Sequence, residues 1–234
     1  STAAMQLFET GKFNLDDPVK KFIPEWNNLE VYESGSKGDF KTKVANRDML
    51  MLDLFTHTSG LTYGLQEQTP VDEEYGRSGI ENVVDSRGIN GTLSADEIIN
   101  LLSDIPLEFS PGSHYNYSLS IDILGFIIER ISNISLKDYL MKNIFVPLGM
   151  IDTSFYLDIE KKERFAPCYR WNIEKDSYEG LNENKNSKIK DIDFFNEPNC
   201  FSGGGGLLST ISDYQKFGSE LLNSKSGKSN LLIS

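Results

Sequence analysis

The chain has 234 residues, 38% of them hydrophobic and 11% aromatic, which supports a sizeable core and excludes a disordered chain. Its formal net charge of −12, with no basic stripe, argues against nucleic acid or an anionic membrane surface as partner and reads as solubility. With only His57 and His114 as histidines a His-rich metal site is excluded; Cys168 and Cys200 match no metal spacing and leave a disulfide open, and no apolar run is long enough to span a bilayer.

In chain order, Ser1 to Thr10 reads as a helix already under way, with Ala3, Ala4, Leu7 and Phe8 on one face and Gly11 stopping it. The far end, Leu231-Leu232-Ile233-Ser234, is apolar and has no stop signal. The expectation is a single domain over residues 1–234, an internal piece of a longer protein incomplete at both ends. Asp16-Asp17-Pro18 opens a short helix that Pro24 closes. Residues 33–43 read as a Gly/Ser/Lys loop, and Asn46 as the cap of a helix carrying Leu50, Leu54 and Phe55. That helix runs into a polar turn, Thr56-His57-Thr58-Ser59-Gly60-Leu61. Residues 62–92 are acidic and without a period, a length of loop that is functional or mobile in most domains.

A capping box at Ser94-Ala95-Asp96-Glu97 starts a helix with Ile98, Ile99, Leu101 and Leu102. A Pro111-Gly112 turn then feeds a helix carrying Ile121, Leu124, Ile128 and Ile131. Ser135 caps another, ended near Pro147. Tyr169-Arg170-Trp171 and Tyr178-Glu179-Gly180 pair as a hairpin around Glu174-Lys175-Asp176, residues 181–198 are loop, and Thr210 caps a last helix with Tyr214, Phe217 and Leu221. The piece is mainly helical.

The glycine run Gly203 to Gly206 lacks the Lys-Ser/Thr ending of a phosphate loop and reads as a tight passage where backbone meets backbone or lines a cleft. No Gly-x-Ser-x-Gly elbow occurs. Two Ser-x-x-Lys matches, Ser34-Gly35-Ser36-Lys37 and Ser187-Lys188-Ile189-Lys190, sit in polar stretches rather than at a buried helix start, where a lysine loses its proton by desolvation, and read as decoys. His57 reads as a structural histidine bonding its own loop rather than as a dyad partner of Ser59. The segment Pro111-Gly112-Ser113-His114-Tyr115-Asn116-Tyr117-Ser118 is the strongest catalytic candidate: a rigid turn at a helix start holds a tyrosine at the lip of a cleft, and a phenol beside a cation can act as a general base.

Together these pieces resemble the serine β-lactamase/penicillin-binding-protein-like hydrolases: Thr56 to Leu61 is similar to their HTSGL signature, Tyr117-Ser118 with Asp122 and Leu124-Gly125 to their second catalytic motif, Pro147-Leu148-Gly149-Met150 with Asp152-Thr153 to PLGM-DT, and Ser202 to Thr210 with Asp213-Tyr214 to GGGGL-ST-DY. The subgroup it most resembles is the family VIII carboxylesterases. The resemblance implies an α+β, β-lactamase/transpeptidase-like fold, of which this chain supplies mostly the helical lobe. It implies a serine hydrolase working through an acyl-serine intermediate on a small ester or amide, without cofactor or metal. By the same resemblance Tyr117 is the catalytic tyrosine, Tyr115 lines the acyl pocket where relatives carry Trp, and Leu119 takes the substrate-binding slot of the Asn in Tyr-x-Asn. Leu offers an amide no hydrogen bond, which favours esters. Ser1-Thr2-Ala3-Ala4-Met5-Gln6-Leu7 is similar to the helix that follows Ser-x-x-Lys, so the nucleophile and its lysine are expected upstream of Ser1, the third motif beyond Ser234, and the piece alone inactive. A D-amino-acid peptidase or β-lactamase, and a non-catalytic ligand-binding homologue, are the alternatives. Nothing in the residues assigns a compartment or an oligomeric state.

Overall fold

Helix α5 (Ser120–Ser132) is the element on which the others converge, because its run from Ser120 to Ile128 is buried almost without a break, Ile121 excepted. In the computed structural model, which describes residues 1–36, 38–64, 69–78, 93–180, 194–227 and 229, two of the early helices pack on it. Helix α1 (Thr2–Glu9) buries Ala3, Ala4 and Leu7, small residues that let it approach α5 closely; α2 (Met51–Phe55) adds Met51 and Leu54. Helix α3 spans Pro70–Arg77. Helix α4 (Ala95–Ser103) contributes Ile98, Ile99 and Leu102 and receives the Trp26 indole N–H on the Ile99 carbonyl at 3.0 Å.

The helix starts follow local chemistry. Ser94 and Glu97 exchange the two bonds of a capping box, the Glu97 N–H on Ser94 Oγ at 3.3 Å and the Ser94 N–H on Glu97 Oε2 at 2.7 Å. Thr210 Oγ1 accepts the Asp213 N–H at 3.2 Å and opens α8 (Ile211–Lys225). Ser135 opens α6 (Leu136–Leu140), which continues through a π-helical turn (Met141–Phe145) into α7 (Val146–Leu148) and stops at left-handed Gly149, two residues beyond the expected Pro147. Pro24 likewise begins a 3₁₀ turn, Pro24–Trp26, rather than closing a helix.

Two antiparallel hairpins complete the described residues. The expected one, β3 (Tyr169–Asn172) with β4 (Ser177–Gly180), is present, with Asp176 left-handed at its turn. The other corrects the loop expected at 33–43: β1 (Glu30–Ser36) pairs with β2 (Asp39–Val44). Of β1 and β2 only Val31 is buried, so no alternation marks them as strands. They are anchored instead by the chain before the Pro111 turn: the Tyr32 N–H donates to the Leu107 carbonyl and the Leu107 N–H to that of Glu30, each at 2.8 Å. Cys168 and Cys200 are not joined in a disulfide. Among the described residues no helix is long and apolar enough to cross a membrane. The decoy at residues 187–190 lies outside the described residues; Ser34, Gly35 and Ser36 of the other lie on β1, not on a helix.

Candidate active site

The site grows from one carboxylate. Asp53, in the first turn of α2, accepts the Leu50 N–H at 2.8 Å, both guanidinium nitrogens of Arg47 at 2.6 and 2.8 Å, and the Thr58 hydroxyl at 2.9 Å. It caps the helix from inside, so Leu50, not Asn46, occupies the cap position. Burial pushes the Asp53 carboxyl up, but Arg47, the Leu50 amide and Thr58 together outweigh burial and hold it below the ordinary carboxylate value. The same bonds fix the start of the HTSGL turn.

That turn is laced to the Pro111–Leu119 segment by backbone hydrogen bonds: Gly112 N–H to Thr58 O at 2.7 Å, Glu108 N–H to Gly60 O at 2.8 Å, Asn116 N–H to His57 O at 2.9 Å and Leu119 N–H to Thr62 O at 3.2 Å. Two motifs some fifty residues apart thus form one rigid body. Beneath it lies a row of buried hydroxyls. Ser59 Oγ accepts the Leu61 N–H at 3.2 Å; Ser59 and Ser120 are 2.8 Å apart, as are Ser120 and Ser118.

Tyr117 sits on top of this body. Its side chain is 60% exposed, and among the described residues its hydroxyl makes no hydrogen bond. The ring stacks on Tyr63 (centroids 5.5 Å apart, planes within 3°) and lies 4.8 Å from the His57 ring. Tyr63 is held in turn by Asp72, which accepts the Thr62 hydroxyl at 2.6 Å and the Gly64 N–H at 2.7 Å. Tyr115, 69% exposed, meets the His57 ring edge-on at 6.1 Å. The structure therefore brings Tyr115 and Tyr117 to the surface beside His57. It does not bring Leu119, which is 0% exposed and packs in the core as the residue preceding α5; its expected place against a substrate is corrected to a packing role. His57 is also corrected: its ring reaches not its own loop but Ser118, whose N–H it accepts on Nδ1 at 3.2 Å. Tyr63, Asp53 and Arg47 carried no signal in the sequence, because stacking and ion pairing across such separations leave no period.

The glycine run behaves as the tight passage expected. A Cβ on Gly203 would lie 2.2 Å from the Ile121 carbonyl oxygen, so only glycine lets this strand of backbone lie on α5. Asp122 ties the run down: Oδ1 accepts the Ser202 hydroxyl and, at 3.2 Å, the Gly204 N–H, while Oδ2 is buried with no partner among the described residues. Burial pushes the Asp122 carboxyl up, against the opposing bonds from Ser202 and Gly204. Its folded value lies above its unfolded one, so its contribution to stability is complete below the ordinary carboxylate range and is lost as pH rises through the folded value. Glu108 and Glu129, also raised chiefly by burial, slope the same way. Asp122→Asn abolishes one of these slopes. Urea midpoints taken from pH 4 to pH 8 should move in the variant's favour with rising pH; parallel curves would rule this out.

An apolar cavity of about 430 Å³ lies beside the run, between Ser1, Ile121, Leu124, Phe155 and Phe217; Tyr115, Tyr117 and Leu119 do not line it.

Residues 1–232 match the family model described as Beta-lactamase. The chain belongs to the beta-lactamase family. Among its beta-lactamase-family relatives, Protein Rv1367c of Mycobacterium tuberculosis is 33% identical over 92% of this chain and 49% of its own length. Esterase EstB of Burkholderia gladioli is 33% identical over 71% of this chain and 38% of its own. The simvastatin synthase LovD6 mutant of Aspergillus terreus is 26% identical and superimposes with a TM-score of 0.71 over all of this chain and 50% of that one. The fold is the β-lactamase/transpeptidase-like fold, with mixed helix and sheet, and relatives in the family include acyltransferases as well as esterases. The chain spans about half the length, or less, of curated relatives it matches.

Proposed function

We propose that this chain belongs to a serine carboxylesterase and contributes the catalytic tyrosine, Tyr117, while the nucleophilic serine and its lysine stand upstream of Ser1. In this reading the serine Oγ attacks the ester carbonyl carbon, and its proton passes to the phenolic oxygen of Tyr117 as the phenol hands its own proton to the neutral lysine amine. The carbon–oxygen bond to the alcohol breaks, and the departing alkoxide takes that proton. Water then attacks the acyl-serine by the reverse proton path, releasing the carboxylic acid and restoring the hydroxyl. Backbone N–H groups hold the oxyanion in both steps.

The observation that supports it is the state of Tyr117. Its hydroxyl is unbonded among the described residues, its ring is gripped by two neighbours, and its backbone is laced to a second motif. A tyrosine serving only the core would be buried with its hydroxyl satisfied. Esterase and acyltransferase relatives favour esters over peptides and β-lactams. Full-length protein assayed with p-nitrophenyl acetate and butyrate should show turnover with a burst of p-nitrophenol, and nitrocefin should be turned over poorly. Burst kinetics from residues 1–234 alone, or nitrocefin as the better substrate, would refute the assignment.

A further inference from the structure

Tyr117 presents a problem of aim. Its side chain is largely in solvent, yet a proton relay requires its oxygen to be held to within about 0.5 Å of a working position. The aromatic faces of Tyr63 and His57 limit the ring's swing but do not fix the backbone that carries it. The two hydrogen bonds nearest to Tyr117 along that backbone go to one residue. The His57 carbonyl accepts the N–H of Asn116 at 2.9 Å, and His57 Nδ1 accepts the N–H of Ser118 at 3.2 Å, so the N–H groups of the two residues that flank Tyr117 both donate to one residue. The same imidazole lies 4.8 Å from the phenol ring.

To make these three contacts His57 takes a left-handed backbone, φ 54°, a conformation that side-chain-bearing residues rarely adopt. Such backbones persist where the surroundings over-determine them and cluster at functional sites. The ring must also stay unprotonated at Nδ1, since imidazolium has no lone pair with which to accept the Ser118 N–H. Burial pushes the His57 imidazole below its ordinary value, which keeps that lone pair available at neutral pH.

We propose that His57 is the positioning residue for Tyr117, holding the N–H groups of both flanking residues, Asn116 and Ser118, and contacting its ring. The proposal rests on the reading of Tyr117 as the residue that relays the proton, and a double-mutant cycle in the full-length protein separates the two claims. His57→Gly removes the ring while accommodating the left-handed backbone; His57→Asn keeps both an acceptor close to the position of Nδ1 and tolerance of that backbone. With p-nitrophenyl butyrate, His57→Gly should lose about 10²-fold in kcat with KM within about twofold, as expected of a reacting group displaced by an ångström or so. His57→Asn should recover at least about a third of the lost logarithm. In a Tyr117→Phe background His57→Gly should cost less than about twofold more.

Wild-type kcat in folded His57→Gly would overturn the proposal while leaving Tyr117 in place, as would an equal loss in both backgrounds, which would mark a general effect on the fold. Undiminished turnover by Tyr117→Phe would instead remove the reading on which it rests. Should His57→Gly not fold, the ratio of His57→Asn to wild type in the two backgrounds carries the same decision.

Discussion

Tyr117→Phe is expected to lower kcat for p-nitrophenyl butyrate by about 10²–10⁴-fold in the full-length protein, the range in which a positioned acid–base group contributes. The substitution removes one oxygen and nothing else that the structure uses. The ring remains to stack on Tyr63 and to meet His57, and among the described residues the lost hydroxyl has no bond to break. Melting temperature and KM should therefore stay close to wild type. A loss shared between kcat and stability would indicate that the phenol serves packing, and an unchanged kcat would remove Tyr117 from the reaction. Tyr115→Phe is the matched control, since Tyr115 is exposed beside the same imidazole.

Gly60→Ala is expected to be the most damaging single methyl in this part of the molecule. Gly60 has φ 88°, and a Cβ there would stand 2.3 Å from the Phe109 carbonyl oxygen and 3.1 Å from Leu107 Cβ. The left-handed backbone alone costs a residue with a Cβ roughly 1–2 kcal/mol, and forcing an atom into filled space adds about 1–3 kcal/mol. Neither obstacle yields easily, because Phe109 and Leu107 belong to the segment that is laced to the turn and anchors β1. We expect a loss of about 3 kcal/mol, which at roughly 2–4 °C per kcal/mol for a domain of this size lowers the melting temperature by about 6–12 °C. Residual activity at low temperature should also fall, since the affected segment runs on to Tyr117. A melting temperature within about 2 °C of wild type would contradict the argument.

Much of the helical framework was legible because its signals are local. The Ser94–Glu97 box and the Thr210 cap need no knowledge of the rest of the chain, and the apolar run of α5 announces a helix buried on several sides. What escaped was structure paid for by distant partners. The β1–β2 hairpin exposes nearly all its side chains and is held by Leu107, so its sequence looks like loop. Helix α3 buries Asp72 and Glu74 along with Val71 and Tyr75; a periodicity of apolar residues cannot find a helix whose inner face carries carboxylates.

The site divides in the same way. The motif resemblance singled out Tyr117 as a candidate, and the side chain is exposed in the structure. It could not say that Leu119, two residues along, turns inward as the chain enters α5, nor that the imidazole of the neighbouring motif would reach across to the Ser118 peptide.

The buried hydroxyls under that turn have a consequence of their own. Ser118 Oγ also lies 3.4 Å from His57 Nδ1, and Nδ1 only accepts, so Ser118 points its proton at the ring, must receive from Ser120, and Ser120 from Ser59, which receives in turn from the Leu61 amide. The whole file has one sense of donation and no choice of direction. Its dipoles add head to tail and polarise one another, aiming a standing positive end at the imidazole from below.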